Sequence, residues 1–208
     1  MSILAVIFDL GGVVLDSPLE VFLQYERELG ITPHTVNRNI VAAGHAGAWS
    51  RLERGEVSMK DFYLAFDAEL AAAGVAVSGE AIMRRLASAT DVRPAALAAV
   101  RALRKSGRKV AALTNNWVNE DQSSKMDVLR SEFDVFIEST RVGLRKPDPR
   151  IYQLACSQLG VEPHQAAFLD DIGLNLKAAR ALGMTTIKVE SLPVALAELS
   201  RVVGIALT

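Results

Sequence analysis

One pattern constrains the fold of this chain more than any other. Short apolar runs end in polar or glycine residues and alternate with segments of helical periodicity. The first run, Ile3 to Phe8, ends in Asp9 and is followed by Gly11 and Gly12. Continuous apolar runs of this length are typical of strands buried on both faces. Similar runs predict strands at Lys109 to Leu113, Val135 to Ile137, Ala166 to Leu169 and Thr185 to Val189.

Segments with apolar residues at three- and four-residue spacing separate the later runs. They predict helices at Pro94 to Lys105, Asp121 to Arg130, Pro149 to Leu159 and Leu174 to Leu182. Glycines that follow helical segments, such as Gly107, Gly160 and Gly183, are typical C-terminal stops. Strands that alternate with helices indicate a parallel sheet. We therefore predict an α/β fold, a Rossmann-like parallel sheet with helices on both faces.

The gap between the first two strands, from Asp9 to Thr114, is far longer than an ordinary crossover. Helical patterns fill it, at Leu19 to Leu29, Pro33 to Ala43, Ala46 to Arg54, Ser58 to Ala73 and Gly79 to Ala89. Ser58 is a candidate N-cap for the fourth of them. We predict an all-helical cap, residues 17–90, inserted after the first strand of a core made of residues 1–16 and 91–208.

The composition argues against a nucleic-acid or membrane partner. The chain has 23 Lys and Arg against 24 Asp and Glu, a net charge of −1, whereas binding to anionic polymers or surfaces needs an excess of basic residues. Its apolar stretches are too short to cross a bilayer, and no basic segment precedes Ile3 as in a signal peptide. Cys156 is the only cysteine, so no intrachain disulfide can form. We expect a cytoplasmic monomer or homodimer.

Polar residues collect where the predicted strands end: Asp9, Thr114, Asn115, Asp170 and Asp171. Ligands of open α/β sheets bind at this edge. Three carboxylates that converge there repel one another unless a cation lies between them, and oxygen-only ligands favour Mg²⁺. A free carboxylate could attack phosphorus and form an aspartyl-phosphate. Thr114 and the following amides could hold phosphate oxygens, while Lys146 neutralises the remaining charge.

Taken alone, most of these elements have a simpler explanation. Asp9 could end a strand before a glycine turn, and Thr114 with Asn115 could cap a helix. Asp148 before Pro149 is typical of a helix start, so only the neighbouring lysine needs a functional explanation. Adjacent carboxylates at the end of a buried strand are harder to explain without a partner. The ordered set is a much stronger signal than any of its members.

This ordered set resembles the haloacid dehalogenase superfamily of phosphohydrolases, and in particular the N-terminal phosphatase domain of soluble epoxide hydrolases. The resemblance rests on the segments Val6 to Leu10, Leu113 to Trp117, Phe133 to Gly143, Lys146 to Tyr152 and Phe168 to Lys177, with Arg51-Leu52 and Gly55 to Val57 in the cap. Because this sequence holds no α/β-hydrolase domain, we expect no epoxide-opening activity from it.

The resemblance implies a metal site. Asp9 would be the nucleophile and a ligand of Mg²⁺, with the backbone carbonyl of Gly11 as a second ligand and Asp171 as a third. Asp170 would support the metal site and pair with Lys146, and Asn175 would lie behind the ligands. These assignments place the cation and the nucleophile at the same strand end.

The resemblance also implies a phosphate site. Thr114, Asn115 and Lys146 would bind the transferring phosphoryl group, and Thr114 and Lys146 would share in catalysis with the nucleophile. The cap would close over the site, exclude water and select a small-molecule phosphate substrate. Arg51 is the cap residue that we expect to contribute to specificity, although a surface ion pair with Glu53 or a neighbour would explain it equally well.

One position departs from the family pattern. Most phosphatases of this superfamily carry a second aspartate two residues after the nucleophile, as general acid and base, and this chain has Gly11 there. Such a group is typically worth roughly 10²- to 10⁴-fold in rate. Three functions stay open, in this order: a Mg²⁺-dependent phosphatase that tolerates the loss, a 2-haloacid-type dehalogenase, whose halide leaves without a proton, and a catalytically silent phosphate-binding or interaction protein. In the first, Asp16 is a candidate proton donor.

Overall fold

A computed structural model describes residues 2–88, 91–118 and 123–207. Five strands form one sheet: Ala5–Phe8 (β1), Lys109–Thr114 (β2), Val135–Glu138 (β3), Ala166–Asp170 (β4) and Thr185–Lys188 (β5). The strand order is β3-β2-β1-β4-β5, and each neighbouring pair is parallel. The predicted α/β fold with a parallel sheet is therefore confirmed.

A layer of helices follows β1 in the chain: Pro18–Glu28 (α1), Thr35–Ala43 (α2), Ala48–Glu53 (α3), Met59–Ala72 (α4) and Gly79–Ser88 (α5). These helices share an apolar core of their own, which contains Phe22, Trp49, Phe62 and Phe66. The Trp49 ring lies 5.6 Å from Phe22, 5.7 Å from Phe62 and 5.5 Å from Phe66, centroid to centroid. An all-helical insert therefore follows the first strand, as predicted, while the boundaries at 16/17 and 90/91 stay predictions.

The remaining helices are Pro94–Lys105 (α6), Ser123–Ser131 (α7), Ser139–Val142 (α8), Pro149–Leu159 (α9), Gly173–Ala181 (α10) and Leu192–Val203 (α11). Both faces of the sheet are apolar, because alternate side chains of each strand point to opposite sides. Val6 and Phe8 belong to a core shared with α6, α7 and α11, whereas Ala5 and Ile7 belong to a core shared with α9 and α10. Burial on both faces explains the continuous apolar run of β1.

The helices differ from the prediction in three places. The sequence analysis did not predict α8 and α11. The predicted helix from Ala46 to Arg54 is shorter as α3, because Gly44–Ala46 forms a 3₁₀ turn before it. Residues 119–122, where a helix was predicted to begin, lie outside the described residues. The N-cap prediction is confirmed, since the Asp61 N–H donates to the Ser58 hydroxyl at 3.1 Å.

None of the helices in the described part of the chain has both the length and the apolar character that crossing a bilayer requires. The longest of the insert, α4, runs over Met59–Ala72 and buries Phe62, Phe66 and Leu70, which follow one another at four-residue spacing. That pattern is typical of a helix that packs one face against a protein core.

Candidate active site

The strand order places three strand ends side by side. β1 lies between β2 and β4, so Thr114 at the end of β2, Asp9 just after β1 and Asp170 at the end of β4 meet at one edge of the sheet. The Asp9 N–H donates to the Leu169 carbonyl at 2.9 Å and extends the pairing one residue beyond β1. This bond fixes Asp9 beside Asp170.

Three carboxylates and one ammonium form the centre of this edge. One oxygen from each of Asp9, Asp170 and Asp171 lies within 4.8 Å of the other two. The Lys146 ammonium lies 2.8 Å from Asp9 Oδ1 and 2.8 Å from Asp170 Oδ2. Lys146 is only 1% exposed, so water and salt do little to screen these ion pairs.

The cluster carries more negative charge than Lys146 balances. Burial raises the pKa of the Asp9 carboxyl well above its ordinary value; Lys146 lowers it, and Asp170 and Asp171 raise it further. Burial and the neighbouring Asp170 raise the pKa of Asp171 to about 6. Burial opposes the charge of Lys146, but Asp170 and Asp9 hold the pKa of its ammonium above the ordinary value. The site therefore favours an additional positive charge.

The oxygen atoms near Asp9 fit a hard divalent cation. The carboxylates of Asp9 and Asp171 and the carbonyl of Gly11 are ligands of the kind that Mg²⁺ takes. Gly12 makes room for Asp171, because its φ is +78° and a Cβ built on it would lie 2.2 Å from Asp171 Oδ2. Only a residue without a side chain lets the backbone pass this close to the carboxylate.

Asp170 is held from several sides. The Ile172 N–H donates to Oδ1 at 2.7 Å, and Asn175 Nδ2 donates to Oδ1 at 3.1 Å and to Oδ2 at 3.0 Å. The Lys146 ammonium contacts Asp170 from a third side, and Asp170 is fully buried. With its oxygens occupied in this way, Asp170 is better suited to orient Lys146 than to bind a cation.

The side chain of Asn115 binds the main chain of Lys146. Its Nδ2 donates to the Lys146 carbonyl at 3.0 Å, and the Lys146 N–H donates to its Oδ1 at 2.8 Å. These two bonds fasten the segment after β2 to the loop that carries the lysine. Thr114, which is 5% exposed, and Asn115 both face the same cavity as Asp9.

That cavity has a volume of about 640 Å³ and lies between the sheet edge and the helical insert. The sheet side contributes Asp9, Gly11, Thr114, Asn115, Lys146 and Asp171. The insert contributes apolar side chains, including Leu19, Phe22, Ile40 and Trp49, and the polar side chains of Asn37, His45, Ser50, Glu53 and Arg54. Insert and core touch where the Trp49 ring lies 5.6 Å from the Trp117 ring, centroid to centroid. The polar groups of the sheet edge thus face the insert side of the cavity, which carries both apolar and polar side chains.

The structure does not bring Arg51 to this cavity. The Arg51 Nε lies 3.9 Å from Glu56 Oε2, its side chain is 44% exposed, and its neighbours Ser50, Glu53 and Arg54 line the cavity instead. The surface ion pair expected for Arg51 is therefore present, but its partner is Glu56.

Sequence reasoning missed a buried ion pair between the insert and the core. Arg145 Nε donates to Glu53 Oε2 at 2.6 Å, and Trp49 Nε1 donates to Glu53 Oε1 at 3.0 Å. Arg145 could have been found from the sequence, because it directly precedes Lys146, which was already a candidate site residue. Glu53 had no such signal, because its burial depends on how α3 docks on the core.

Comparison with known proteins decides the family. The model of the haloacid dehalogenase-like hydrolases matches residues 3–183, most of the chain. The chain belongs to the haloacid dehalogenase-like hydrolase family. The fold of this hydrolase is the one that the sequence resemblance implied.

Two curated relatives match this hydrolase over nearly its whole length. Acyl-CoA dehydrogenase family member 10 of Mus musculus is 36% identical over 206 residues, which cover 98% of this chain and 19% of the relative. Bifunctional epoxide hydrolase 2 of Sus scrofa is 34% identical over 221 residues, which cover 100% of this chain and 40% of the relative. The chain thus spans less than half the length of either. The expected likeness to epoxide hydrolases is confirmed.

Solved structures of the family share the fold. A haloacid dehalogenase family enzyme from Bacteroides thetaiotaomicron, in complex with magnesium and inorganic phosphate, aligns with a TM-score of 0.62 at 20% identity, over 90% of this chain and 94% of that one. Proteins named as phosphatases and proteins named as haloacid dehalogenases both occur among the matches. Family membership alone therefore leaves the reaction open.

Proposed function

We propose that this protein is a Mg²⁺-dependent phosphatase that hydrolyses a small-molecule phosphate monoester through an aspartyl-phosphate on Asp9. The observation that carries the proposal is the buried Lys146 ammonium, 2.8 Å from both Asp9 and Asp170, beside a carboxylate cluster that needs a further cation. A phosphate dianion is the substrate that gains from both positive charges. The apolar side chains on the insert side of the cavity suit a substrate whose leaving group has an apolar part.

The proposed reaction has two displacements at phosphorus. The Leu10 N–H, at 2.6 Å, and the Lys146 ammonium both bond Asp9 Oδ1, so the plane of the carboxylate is set before substrate arrives. A carboxylate oxygen of Asp9 attacks phosphorus, and the bond from phosphorus to the leaving oxygen breaks. Water then attacks the phosphorus of the aspartyl-phosphate, which releases inorganic phosphate and restores Asp9.

The remaining residues would bind the phosphoryl group and neutralise its charge. Thr114 and the Asn115 backbone would donate to phosphoryl oxygens, while Lys146 stays against the developing charge. Asp9, Asp171 and the Gly11 carbonyl would hold Mg²⁺. When bound, that ion supplies charge neutralisation at a phosphoryl oxygen. Asp170 and Asn175 keep Lys146 oriented through the bonds already described.

Gly11 keeps a second function in view, a 2-haloacid-type dehalogenase. Halide leaves without a proton, so such an enzyme has no need of a carboxyl group at position 11. The Asp170 and Asp171 pair counts against it, because a dehalogenase that forms its ester without a metal ion has no cation to offset this added negative charge beside the nucleophile. Chloride release from 2-chloropropionate, with no Asp9-dependent phosphate release, would favour the dehalogenase. Neither release would favour the catalytically silent protein.

The first prediction tests the nucleophile. Asp9→Asn is expected to lower phosphate release from p-nitrophenyl phosphate by roughly 10³-fold or more, since loss of a nucleophile removes the covalent route. The measurement is the rate of p-nitrophenolate formation with Mg²⁺ and with EDTA. Asp16→Asn is the matched control. Asp16 lies on the segment after β1, pairs with Arg93 and does not line the cavity. Equal rates for Asp9→Asn and wild type would contradict the proposed function.

The second prediction tests the cation. Mg²⁺ at about 100 times its Kd is expected to stabilise the fold by about 2.7 kcal/mol. This corresponds to a Tm rise of roughly 5–10 °C for a chain of this size. Because the pKa of Asp171 is about 6 without metal, protons compete with Mg²⁺ below that pH, so the rise should shrink towards pH 5. The measurement is thermal unfolding at matched ionic strength. An equal rise in Asp171→Asn would refute this metal site.

A further inference from the structure

The leaving oxygen of an alkyl phosphate needs a proton, and position 11 cannot supply it. A Cβ built on Gly11 would lie 3.1 Å from Pro18 Cδ and 3.2 Å from Pro18 Cγ, so the ring at the start of α1 occupies the space beside it. A side chain at position 11 fits only if Pro18 shifts. If the proposed phosphatase acts on such esters, its proton donor lies on another element of the cavity.

Four of the described residues that line the cavity carry a carboxyl group: Asp9, Glu53, Asp148 and Asp171. Asp9 and Asp171 belong to the carboxylate cluster. Asp148 is bound to Arg150, whose Nη2 lies 2.6 Å from Asp148 Oδ2, and this hydrogen bond lowers the pKa of the Asp148 carboxyl. Asp16, the donor considered from the sequence, pairs with Arg93 and lies outside the cavity. Glu53 is the carboxyl group that these assignments leave.

Glu53 lines the cavity from the helical insert. Its side chain is 8% exposed at the end of α3, and it receives one hydrogen bond at each oxygen, from Trp49 and from Arg145. Arg145 directly precedes Lys146, which binds Asp9, so the ion pair brings α3 against the loop that carries the lysine. Both oxygens of Glu53 therefore accept a hydrogen bond at the wall of the cavity, and the ion pair holds the side chain next to the segment that carries Lys146.

The surroundings of Glu53 suit proton transfer. Burial raises the pKa of its carboxyl above the ordinary value, and Arg145, Trp49 and Lys146 offset that rise only in part. Arg145 and Lys146 are the charged groups that act on it. A carboxyl with a raised pKa can hold a proton closer to neutral pH, and its two donors stabilise the carboxylate after the proton leaves.

We propose that Glu53 is the general acid and base of this enzyme and performs the proton transfers for which Gly11 has no side chain. The inference rests on the proposed phosphatase function. In the first displacement, Asp9 bonds to phosphorus, the bond to the leaving oxygen breaks, and the Glu53 proton passes to that oxygen, giving an alcohol and the Glu53 carboxylate. In the second, that carboxylate takes a proton from the attacking water as the bond from phosphorus to Asp9 breaks.

A donor on the insert has a mechanical consequence. Glu53 reaches the cavity through α3, which contacts the core at Arg145 and at Trp117, through Trp49. A second close approach lies in the next turn, where a Cβ built on Gly55 would lie 2.7 Å from the Thr140 carbonyl. The proton donor would thus be in place only while the insert is docked, which ties leaving-group protonation to closure over the substrate.

The test compares two leaving groups. Glu53→Gln keeps the size of the side chain and an acceptor for Trp49. It is expected to lower kcat/KM for 2-phenylethyl phosphate by roughly 10²- to 10⁴-fold. For p-nitrophenyl phosphate, whose phenolate leaves without a proton, we expect a fall of less than about tenfold. Glu56→Gln is the matched control, since Glu56 lies three residues away, is paired with Arg54 and does not line the cavity.

The outcomes are distinct. Equal falls on both esters would overturn the inference and assign Glu53 a structural role. A fall confined to the alkyl ester in His45→Gln rather than Glu53→Gln would also overturn it, because His45 is another titratable residue that lines the cavity. Absence of Asp9-dependent phosphate release from wild-type protein on either ester would instead refute the proposed function. If Glu53→Gln fails to fold, the wild-type pH profile decides: an alkaline fall in kcat/KM specific to the alkyl ester supports the inference, and its absence overturns it.

Discussion

Lys146→Met is expected to destabilise the metal-free protein by about 3–5 kcal/mol, because it leaves two buried carboxylates without their cation. The Lys146 ammonium lies 2.8 Å from Asp9 and 2.8 Å from Asp170, and both acids are almost fully buried. The methionine fills a similar volume, so loss of charge and not a cavity causes the effect. The measurement is the urea midpoint of unfolding in EDTA.

The pH dependence of this variant has a definite sign. The pKa of Asp9 in the folded protein already lies above its ordinary value because of burial, and loss of Lys146 removes the group that lowers it. The folded variant therefore binds protons that the unfolded chain has released, and its stability falls as pH rises between the unfolded and folded pKa values. The deficit relative to wild type should be larger at about pH 8 than at about pH 5.

Lys177→Met is the matched control for Lys146→Met. Lys177 is exposed on α10, so its replacement removes the same charge without leaving a buried carboxylate unpaired. We expect its urea midpoint to stay near that of wild type, within about 0.5 kcal/mol. A similar small change for Lys146→Met, with no added pH dependence, would show that the carboxylates do not depend on the lysine. Phosphate release should fall in Lys146→Met and persist in Lys177→Met.

The sheet was predictable because its signal is local. The three central strands, β1, β2 and β4, are buried on both faces, so their sequences are nearly continuous apolar runs, and each ends at or directly before a residue of the proposed site. The same reasoning could have found α11, where Ser191 precedes Leu192 and Pro193 and buried residues follow at helical spacing, among them Leu196 and Leu199. That signal was present in the sequence and was not used.

The candidate site has one part that the sequence predicts and one part that it does not. Asp9, Asp170 and Lys146 were found from motifs at strand ends, and the sheet order brings them within hydrogen-bond distance. The insert gave no comparable signal. Arg51 and Glu53 lie two residues apart on α3 and so point in different directions, Arg51 to solvent and Glu53 to the core. Which one faces the cavity depends on how α3 docks, and a single sequence does not specify that.

Gly12→Ala is expected to abolish Mg²⁺ binding. Gly12 has a φ of +78°, a conformation that costs alanine about 1–2 kcal/mol. The larger effect is steric, since the new methyl carbon would lie 2.2 Å from Asp171 Oδ2. Either the carboxylate or the turn after Asp9 must move, and both belong to the proposed metal site. We expect the Mg²⁺-dependent rise in Tm to disappear and Mg²⁺-dependent phosphate release to fall by about 10²-fold or more.

Gly107→Ala separates these two causes. Gly107 has a φ of +83°, close to that of Gly12, but a Cβ built on it meets no atom within 4 Å. It therefore imposes the same backbone cost without a collision, so its unfolding free energy should fall while the Mg²⁺ response stays intact. Calorimetric titration of each variant with Mg²⁺ provides the comparison. If Gly12→Ala binds Mg²⁺ as Gly107→Ala does, Asp171 is not a ligand and other oxygens hold the cation.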